Sequence, residues 1–201
     1  LTTSMDADIY AARRERLASR MQHGVAIIPT APERTRNRDA HYPYRFDSYF
    51  YYLTGFPEPD AVLVVIEGER PRSVLFCREK NEEREIWDGY RYGPDAAREL
   101  FRFDEAHVTG KLDETMPELL ANQPTVHCHL GADAAWDSRV IRWMNEVRNR
   151  ARAGVTAPEA ISDVHVVLDE MRLVKDAAEI AVMRRAAEIS AAAHRRAMRA
   201  P

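Results

Sequence analysis

Two apolar runs separated by a short polar turn constrain the fold of this chain more than any other feature. Residues 61–79 read AVLVVIEGERPRSVLFCRE, in which β-branched and other apolar residues flank a turn containing Gly68 and Pro71. Apolar runs on both sides of such a turn are typical of two antiparallel strands. The sequence therefore predicts a β-hairpin in this region.

The residues before the hairpin predict one helix and two further strands. Residues 6–24, DADIYAARRERLASRMQHG, carry apolar residues at helical spacing and end at Gly24. The VAIIP segment that follows predicts a short buried strand. Residues 46–56, FDSYFYYLTGF, are rich in aromatic residues and also predict a strand, whereas the polar residues 31–45 predict a loop.

After the hairpin, helical and extended segments alternate. Amphipathic helices are predicted for residues 94–101, 111–123 and 137–154, and a strand for residues 124–130, PTVHCHL. Residues 155–162, VTAPEAIS, predict an irregular connection. An early hairpin followed by alternating strands and helices places the chain in the α/β class, with a mixed β-sheet flanked by helices.

The last thirty residues predict the start of a long helix. Asp176 and Glu179 have the spacing of a capping box, in which each side chain accepts a hydrogen bond from the other residue's backbone N–H. The following residues, all but His194 apolar, recur at steps of three and four and define one helix face: Ile180, Met183, Ala187, Ala191, His194 and Met198. A face this apolar needs a partner surface, and we expect that surface to lie beyond the printed residues.

Composition excludes several classes of function. The net charge is only −3, which argues against nucleic acid or an anionic membrane as a partner. Cys77 and Cys128 both lie in apolar, strand-like surroundings and are expected to be reduced core thiols. The first eight residues lack the features of a secretory signal, and no apolar run approaches the roughly 20 residues that span a bilayer. These observations predict a cytoplasmic protein.

The usual catalytic patterns are absent from the sequence. It contains no GxSxG, GxxxxGK[ST] or HExxH pattern. His127 and His129 in VHCHL would point to one face of a strand and could share a zinc ion. A zinc site needs a third and usually a fourth ligand, and no second His/Cys pair offers the spacing. Strand histidines near a surface or interface are the simpler interpretation.

Two polar segments remain as candidate binding regions. Trp87 lies among charged residues in EEREIWDGYRYG, where it either plugs the core beneath a turn or reaches a ligand or partner. The segment RNRDAHYPYRFD, residues 36–47, concentrates charged residues in one Pro-interrupted loop. This loop is either a salt-bridged surface loop or a polar wall beside a substrate pocket. These residues alone name no reaction.

Taken together, four segments resemble a known family. DAHYPYRFDSYFYYLTGFPEPDAVLVV, REIWDGYRYG, VTAP and EMRLVKDAAEIAVMRRAAEISAAAHRRAM are similar to the N-terminal region of bacterial aminopeptidase P, the Xaa-Pro aminopeptidase. They occur in the family's order with similar spacing, and the resemblance runs from about Asp8 to the last residue. The segment YPYRFDSYFYYLTGF favours this family over its prolidase and creatinase relatives, which share the architecture but cut other substrates.

The resemblance implies a two-domain parent protein. Residues 5–174 would form the N-terminal domain of the creatinase/prolidase type, and residues 175–201 the first helix of a catalytic domain of pita-bread form. That domain holds two divalent metals, commonly manganese, through two Asp, one His and two Glu, and a metal-bridging water attacks the amide before proline. None of these ligands can be assigned to this sequence. The chain alone is therefore expected to bind no cofactor and to be inactive.

The resemblance also implies roles for three residues. Trp87 matches a tryptophan that lines the substrate cleft across a subunit interface. Asp39 and Arg152 match polar residues of a hydrogen-bonded network near that cleft. The N-terminal domain of the family mediates subunit contacts, so a homo-oligomer acting on Xaa-Pro peptides is expected. The alternative from another class is a catalytically inert, peptidase-like module that binds a protein partner.

Overall fold

The computed structural model describes residues 6–199, which form eight helices, eight strands and two short 3₁₀ turns. The strands are β1 (Val25–Pro29), β2 (Thr35–Asn37), β3 (Ala40–His41), β4 (Val62–Ile66), β5 (Arg72–Cys77), β6 (Glu105–Val108), β7 (Thr125–Cys128) and β8 (Ala160–Asp163). The helices are α1 (Ala7–Arg20), α2 (Ser48–Thr54), α3 (Glu82–Asp88), α4 (Gly93–Phe101), α5 (Leu112–Leu120), α6 (Ala134–Arg148), α7 (Val164–Leu173) and α8 (Ala177–Arg199).

Six strands form one mixed sheet in the order β6-β5-β4-β1-β7-β8. β4 pairs antiparallel with both β1 and β5, and the remaining pairs are parallel. β4 therefore runs against the other five strands of the sheet. The carboxyl ends of β1, β5, β6, β7 and β8 lie along one border, called here the carboxyl end of the sheet, and the opposite border is its amino end. The predicted mixed sheet and the hairpin of β4 and β5 are confirmed.

Helices cover both faces of the sheet because side chains alternate along each buried strand. In β1, Ala26 and Ile28 face one apolar core, which is shared with α1, α2 and α7, while Val25 and Ile27 face a second core, shared with α5 and α6. Large, fully buried side chains fill both cores: Leu17, Phe50, Leu53, Leu63 and Leu75 in the first, and Ile27, Phe76, Leu112, Met116 and Trp143 in the second.

The strand predicted for residues 46–56 is wrong, because this segment contains the two-turn helix α2. The Asp47 carboxylate caps the helix by accepting hydrogen bonds from the backbone N–H groups of Tyr49 and Phe50, both at 2.8 Å. Gly55 ends the helix in the left-handed conformation, with φ of 64°. Capping at both ends, with Phe50 and Leu53 buried one turn apart, outweighs the β-propensity of the aromatic residues.

Four short strands, β2, β3, β6 and β8, were not predicted from the sequence. The predicted loop at residues 31–45 contains the two-stranded hairpin of β2 and β3, and the irregular connection at residues 155–162 runs into β8. β8 and β6 are four-residue strands that pair in parallel with β7 and β5 respectively. β6 and β8 are strands because they hydrogen-bond to β5 and β7. Their own sequences are partly polar and do not predict a strand.

The capping box at the start of α8 is confirmed. The Asp176 N–H donates to Glu179 Oε2 at 3.0 Å, and the Glu179 N–H donates to Asp176 Oδ1 at 2.8 Å. From α1, the buried Arg13 guanidinium donates to Asp176 Oδ2 at 2.7 Å and ties the start of α8 to the domain. No described residue of α8 is buried. Among residues 6–199, no helix combines the length and the apolar character needed to cross a membrane.

Candidate functional site

Trp87 lies on the outer surface of α3, the short helix that follows the carboxyl end of β5. Its side chain is 85% exposed, and two neighbouring apolar side chains, Ile86 and Tyr90, are also exposed. Trp87 lies within a helix, which the sequence did not predict for this segment. The interpretation of Trp87 as a core plug is wrong. The Trp87 indole therefore contributes little to packing within the described domain.

A network of polar contacts holds α3 and the segment after it in place. Lys80 Nζ contacts Glu85 Oε1 at 2.6 Å and the Arg91 carbonyl oxygen at 3.0 Å, and it lies 4.0 Å from the centroid of the Tyr90 ring. Glu85 Oε1 also accepts a hydrogen bond from the Arg91 N–H at 3.0 Å. The hydrogen bond between the two side chains raises the pKa of Lys80 and lowers that of Glu85. These contacts join Lys80, before α3, to the segment after the helix, and Trp87 lies between them.

Asp39 lies in the turn between β2 and β3, in an arm that leaves the carboxyl end of β1. The Asp39 side chain is exposed, and its neighbour Arg38 has a positive φ of 46°. The base of the arm is fixed by Tyr44, whose hydroxyl lies 2.8 Å from the Thr30 hydroxyl and donates to the Ala31 carbonyl at 3.1 Å. Burial raises the pKa of Tyr44. Asp39 and Trp87 therefore extend from the same end of the sheet.

Arg152 lies at the opposite end of the sheet. It occupies a 3₁₀ turn, Ala151–Ala153, that precedes β8, and its side chain is exposed. The five residues of β1 separate the two ends by roughly 16 Å, at about 3.3 Å per residue. Within residues 6–199, Asp39 and Arg152 share no hydrogen bond or ion pair. One copy of the domain brings Trp87 and Asp39 to a common border but not Arg152.

The histidines of VHCHL are not arranged as a metal site. His127 is buried and its Nε2 lies 3.2 Å from the His23 carbonyl oxygen, so the expectation of a surface position is wrong for this residue. His129 is exposed, and its ring centroid lies 3.7 Å from that of His165. Burial is the main cause that lowers the pKa of His165. In the part of the chain that the structure describes, no three His, Cys, Asp or Glu side chains are grouped to hold a metal ion.

The two cysteines are unpaired and buried, as predicted. Cys77 ends β5 and Cys128 ends β7, on opposite faces of the sheet. Burial raises the pKa of the Cys77 thiol to about 12 and that of Cys128 to about 11. Both thiols therefore remain protonated at neutral pH and act as small apolar core residues.

A buried charge pair near α3 was not predictable from the sequence. Glu58 is buried, its Oε1 accepts a hydrogen bond from the Tyr92 N–H at 2.7 Å, and its Oε2 lies 3.7 Å from Arg78 Nη2. Burial raises the pKa of Glu58, and the Tyr92 hydrogen bond and Arg78 oppose this shift. Twenty residues separate Glu58 from Arg78, and no local sequence pattern links the two. Only the fold shows that they meet.

Comparison with known proteins gives a consistent result. The family model described as "Aminopeptidase P, N-terminal domain" matches residues 10–127, more than half of the chain. The Xaa-Pro aminopeptidase of Escherichia coli is 43% identical over 192 residues, which cover 94% of this chain and 44% of that protein. The Xaa-Pro aminopeptidase of Haemophilus influenzae is 32% identical over 191 residues, covering 94% of this chain and 42% of that protein.

Solved structures show the same similarity in three dimensions. The aminopeptidase PepP of Pseudomonas aeruginosa superposes with a TM-score of 0.92 at 44% identity, covering 96% of this chain and 44% of that chain. A zinc-substituted aminopeptidase P of Escherichia coli in complex with product superposes with a TM-score of 0.92 at 41% identity, covering 98% and 45%. The chain spans less than half the length of these relatives. On this evidence it belongs to the family of aminopeptidase P N-terminal domains.

Proposed function

We propose that this chain is the N-terminal, non-catalytic domain of an Xaa-Pro aminopeptidase, which removes the first residue from peptides with proline in second position. Residues 5–174 form that domain, and residues 175–201 begin the first helix of a catalytic domain. Two observations support the proposal. Relatives named as Xaa-Pro aminopeptidases align with nearly all of this chain over less than half of their own length. In addition, α8 is tied to the domain at its first turn and leaves Ile180, Met183 and Met198 exposed.

The exposed Trp87 is the observation that carries the proposed role at the rim of a substrate cleft. An indole that is 85% exposed on a supported helix contributes little to the core of its own domain. Its flat face can pack against a proline ring at small entropic cost, because the side chain has only two rotatable bonds. Asp39 lies at the same end of the sheet and supplies a polar group on this rim.

The position of Arg152 supports a homo-oligomer. Trp87 and Asp39 leave the carboxyl end of the sheet, whereas Arg152 lies at the amino end. The separation of roughly 16 Å within one copy favours a compact cleft to which more than one subunit contributes. We assign subunit contacts to this domain on the same argument.

The metals of the proposed reaction belong to the catalytic domain. Two divalent ions, manganese in our proposal, would supply the nucleophilic water there. The residues of this chain would contribute the rim and the subunit contacts, not metal ligands. Unpaired, buried Cys77 and Cys128 fit a reducing compartment, and we place the parent enzyme in the cytoplasm.

The test is a Trp87→Ala substitution in the full-length parent enzyme. A proline ring covers about one indole face, roughly 80 Å², which is worth about 2 kcal/mol at about 25 cal/mol per Å². We therefore expect kcat/KM on Xaa-Pro peptides of three or more residues to fall about 30-fold, with metal content unchanged. Ile86→Ala, at the adjacent exposed position, is the matched control and should leave kcat/KM within about twofold.

Two results would contradict the proposal. Unchanged kinetics for Trp87→Ala would remove Trp87 from the substrate cleft. Release of a residue from Xaa-Pro peptides by the 201-residue chain alone, with added manganese, would show that the chain is itself catalytic.

A further inference from the structure

A cleft of about 480 Å³ lies beside α3, at the carboxyl ends of β5 and β6. Three arginines line it, Arg78 at the end of β5, Arg84 on α3 and Arg91 in the segment that follows α3. They come from two sides of the cleft, because Arg78 is held next to the sheet and Arg84 is exposed on the helix. The resemblance to the family assigns no role to these residues.

Arg78 is the unusual member of this set. Its side chain is only 14% exposed, and its partner Glu58 lies at 3.7 Å, beyond the range of a hydrogen bond. Its buried Nε has no hydrogen-bond partner among the described residues. A guanidinium group stays charged and carries five N–H donors in a planar fork. The Nε–H of Arg78 is fully buried and out of reach of the cleft, so a ligand must pair with the outer Nη groups. The geometry of the fork matches a carboxylate.

The charges around the cleft favour a singly charged anion. Asp60 and Glu79 line the same cleft as the three arginines, so the lining side chains sum to one positive charge. Glu58 is buried behind Arg78 and further reduces the positive potential. A monocarboxylate balances this single positive charge, whereas a phosphate dianion would leave one uncompensated negative charge beside Asp60 and Glu79.

We propose that this cleft binds the C-terminal carboxylate of a short peptide whose proline packs on Trp87. This inference depends on the proposed function of Trp87. Arg84 lies three residues before Trp87 on α3, and side chains at this spacing are neighbours about 5–6 Å apart. An extended peptide advances about 3.5 Å per residue. A carboxylate one to three residues after the proline therefore reaches the arginine cleft, and this sets a preference for short peptides with a free C-terminus.

The test uses the ¹⁵N-labelled 201-residue chain and follows the arginine Nε–Hε signals by NMR. The probes are Ala-Pro-Ala with a free carboxylate, the same peptide as its C-terminal amide, acetate and inorganic phosphate. We expect the free acid to shift the signals of Arg78 and Arg84 and to bind about tenfold more tightly than the amide. It should also bind more tightly than acetate, and phosphate should bind more weakly than the free acid.

Three variants test which arginines bind the carboxylate. Arg78→Gln should weaken binding of the free acid about tenfold. Arg84 is exposed, so Arg84→Gln should leave the fold intact and weaken binding about threefold. Arg36→Gln, on the β2–β3 arm and outside the cleft, is the control and should have no effect.

Each contrary result has a defined meaning. Equal affinity for acid and amide, or no effect of either cleft variant, overturns the carboxylate site. Stronger binding of phosphate overturns the preference for a singly charged anion. Binding of acetate with no gain from the peptide overturns the link to Trp87. These readouts are independent of the kinetic test of Trp87→Ala, so the cleft and the proposed function can fail separately.

Discussion

Replacing Asp113 with alanine is expected to destabilise the domain by about 2–4 kcal/mol. Asp113 lies in the first turn of α5, and its carboxylate joins that helix to α6. Oδ1 accepts hydrogen bonds from Arg139 Nε at 2.8 Å, Arg142 Nη2 at 2.7 Å and Trp143 Nε1 at 2.8 Å. Trp143 is fully buried in the core between these helices and the sheet.

The magnitude follows from the different environments of these partners. The buried Trp143 N–H loses its acceptor in the alanine variant, and a buried donor without a partner costs about 1–3 kcal/mol. The Asp113 side chain is 52% exposed, so solvent screens its ion pairs to Arg139 and Arg142. Each pair therefore adds only about 0–1 kcal/mol. The Trp143 hydrogen bond is therefore the larger contribution.

Urea unfolding at pH 7 measures the effect as a change in midpoint at constant slope. Asp113→Asn is the matched variant, because its side-chain carbonyl still accepts from Trp143 while the charge is lost, and it should cost only about 1 kcal/mol. Arg142→Gln should cost about 1 kcal/mol or less. Equal destabilisation by Asp113→Ala and Asp113→Asn would refute the reasoning, since it would show that the charge and not the Trp143 acceptor is responsible.

The pH dependence supplies an independent check. The Arg139 hydrogen bond is the main cause that lowers the pKa of Asp113 from 3.8 to about 2, with further lowering by Trp143 and Arg142. A pKa that is lower in the folded state stabilises the fold above the unfolded-state pKa, and the contribution is lost as pH falls through the folded pKa. The stability gap between wild type and Asp113→Asn should therefore be constant above about pH 5 and narrow from there toward pH 2.

Two further substitutions test the ends of helices. Asp176→Ala should remove the cap of α8 and an acceptor of Arg13, and lower the free energy of unfolding by about 1–2 kcal/mol. It should also speed amide hydrogen exchange in the first turn of α8. Unchanged exchange would contradict the assigned capping role. Gly55→Ala should cost about 2–4 kcal/mol in thermal unfolding, because φ is 64° and the new Cβ would lie 2.5 Å from the Tyr10 ring. Gly154→Ala, with φ of 79° and no atom within 4 Å, should cost only about 1 kcal/mol, and equal costs would refute the steric argument.

Local signals in the sequence predicted the elements whose own residues carry a clear strand, turn or capping pattern. The hairpin of β4 and β5 has long apolar runs and a clear turn, and the cap of α8 has the capping-box pair. α2 was mistaken because composition was weighed above capping. Asp47 before the segment and Gly55 after it are the start and stop signals of a two-turn helix, and both were present in the sequence.

Non-local pairing explains what the sequence left out. β6 and β8 are short, are partly polar and exist as strands because β5 and β7 offer them free hydrogen-bonding groups. The Glu58–Arg78 contact depends on the same long-range geometry. Trp87 was identified by its type and by the family resemblance, but its exposure and its place on a helix required the fold.

The support around Trp87 bears directly on how this surface would bind. An exposed indole on a mobile loop would lose conformational freedom when a ligand covers it, and that loss would subtract from affinity. Here the Lys80–Glu85 ion pair and the contacts of both residues with Arg91 join the two ends of α3 in the free domain. Part of the cost of ordering this segment is therefore met during folding, when those contacts form. A ligand that packs on Trp87 would then lose less affinity to ordering of the backbone than it would on a mobile loop, which is the physical reason to place a substrate contact on this helix.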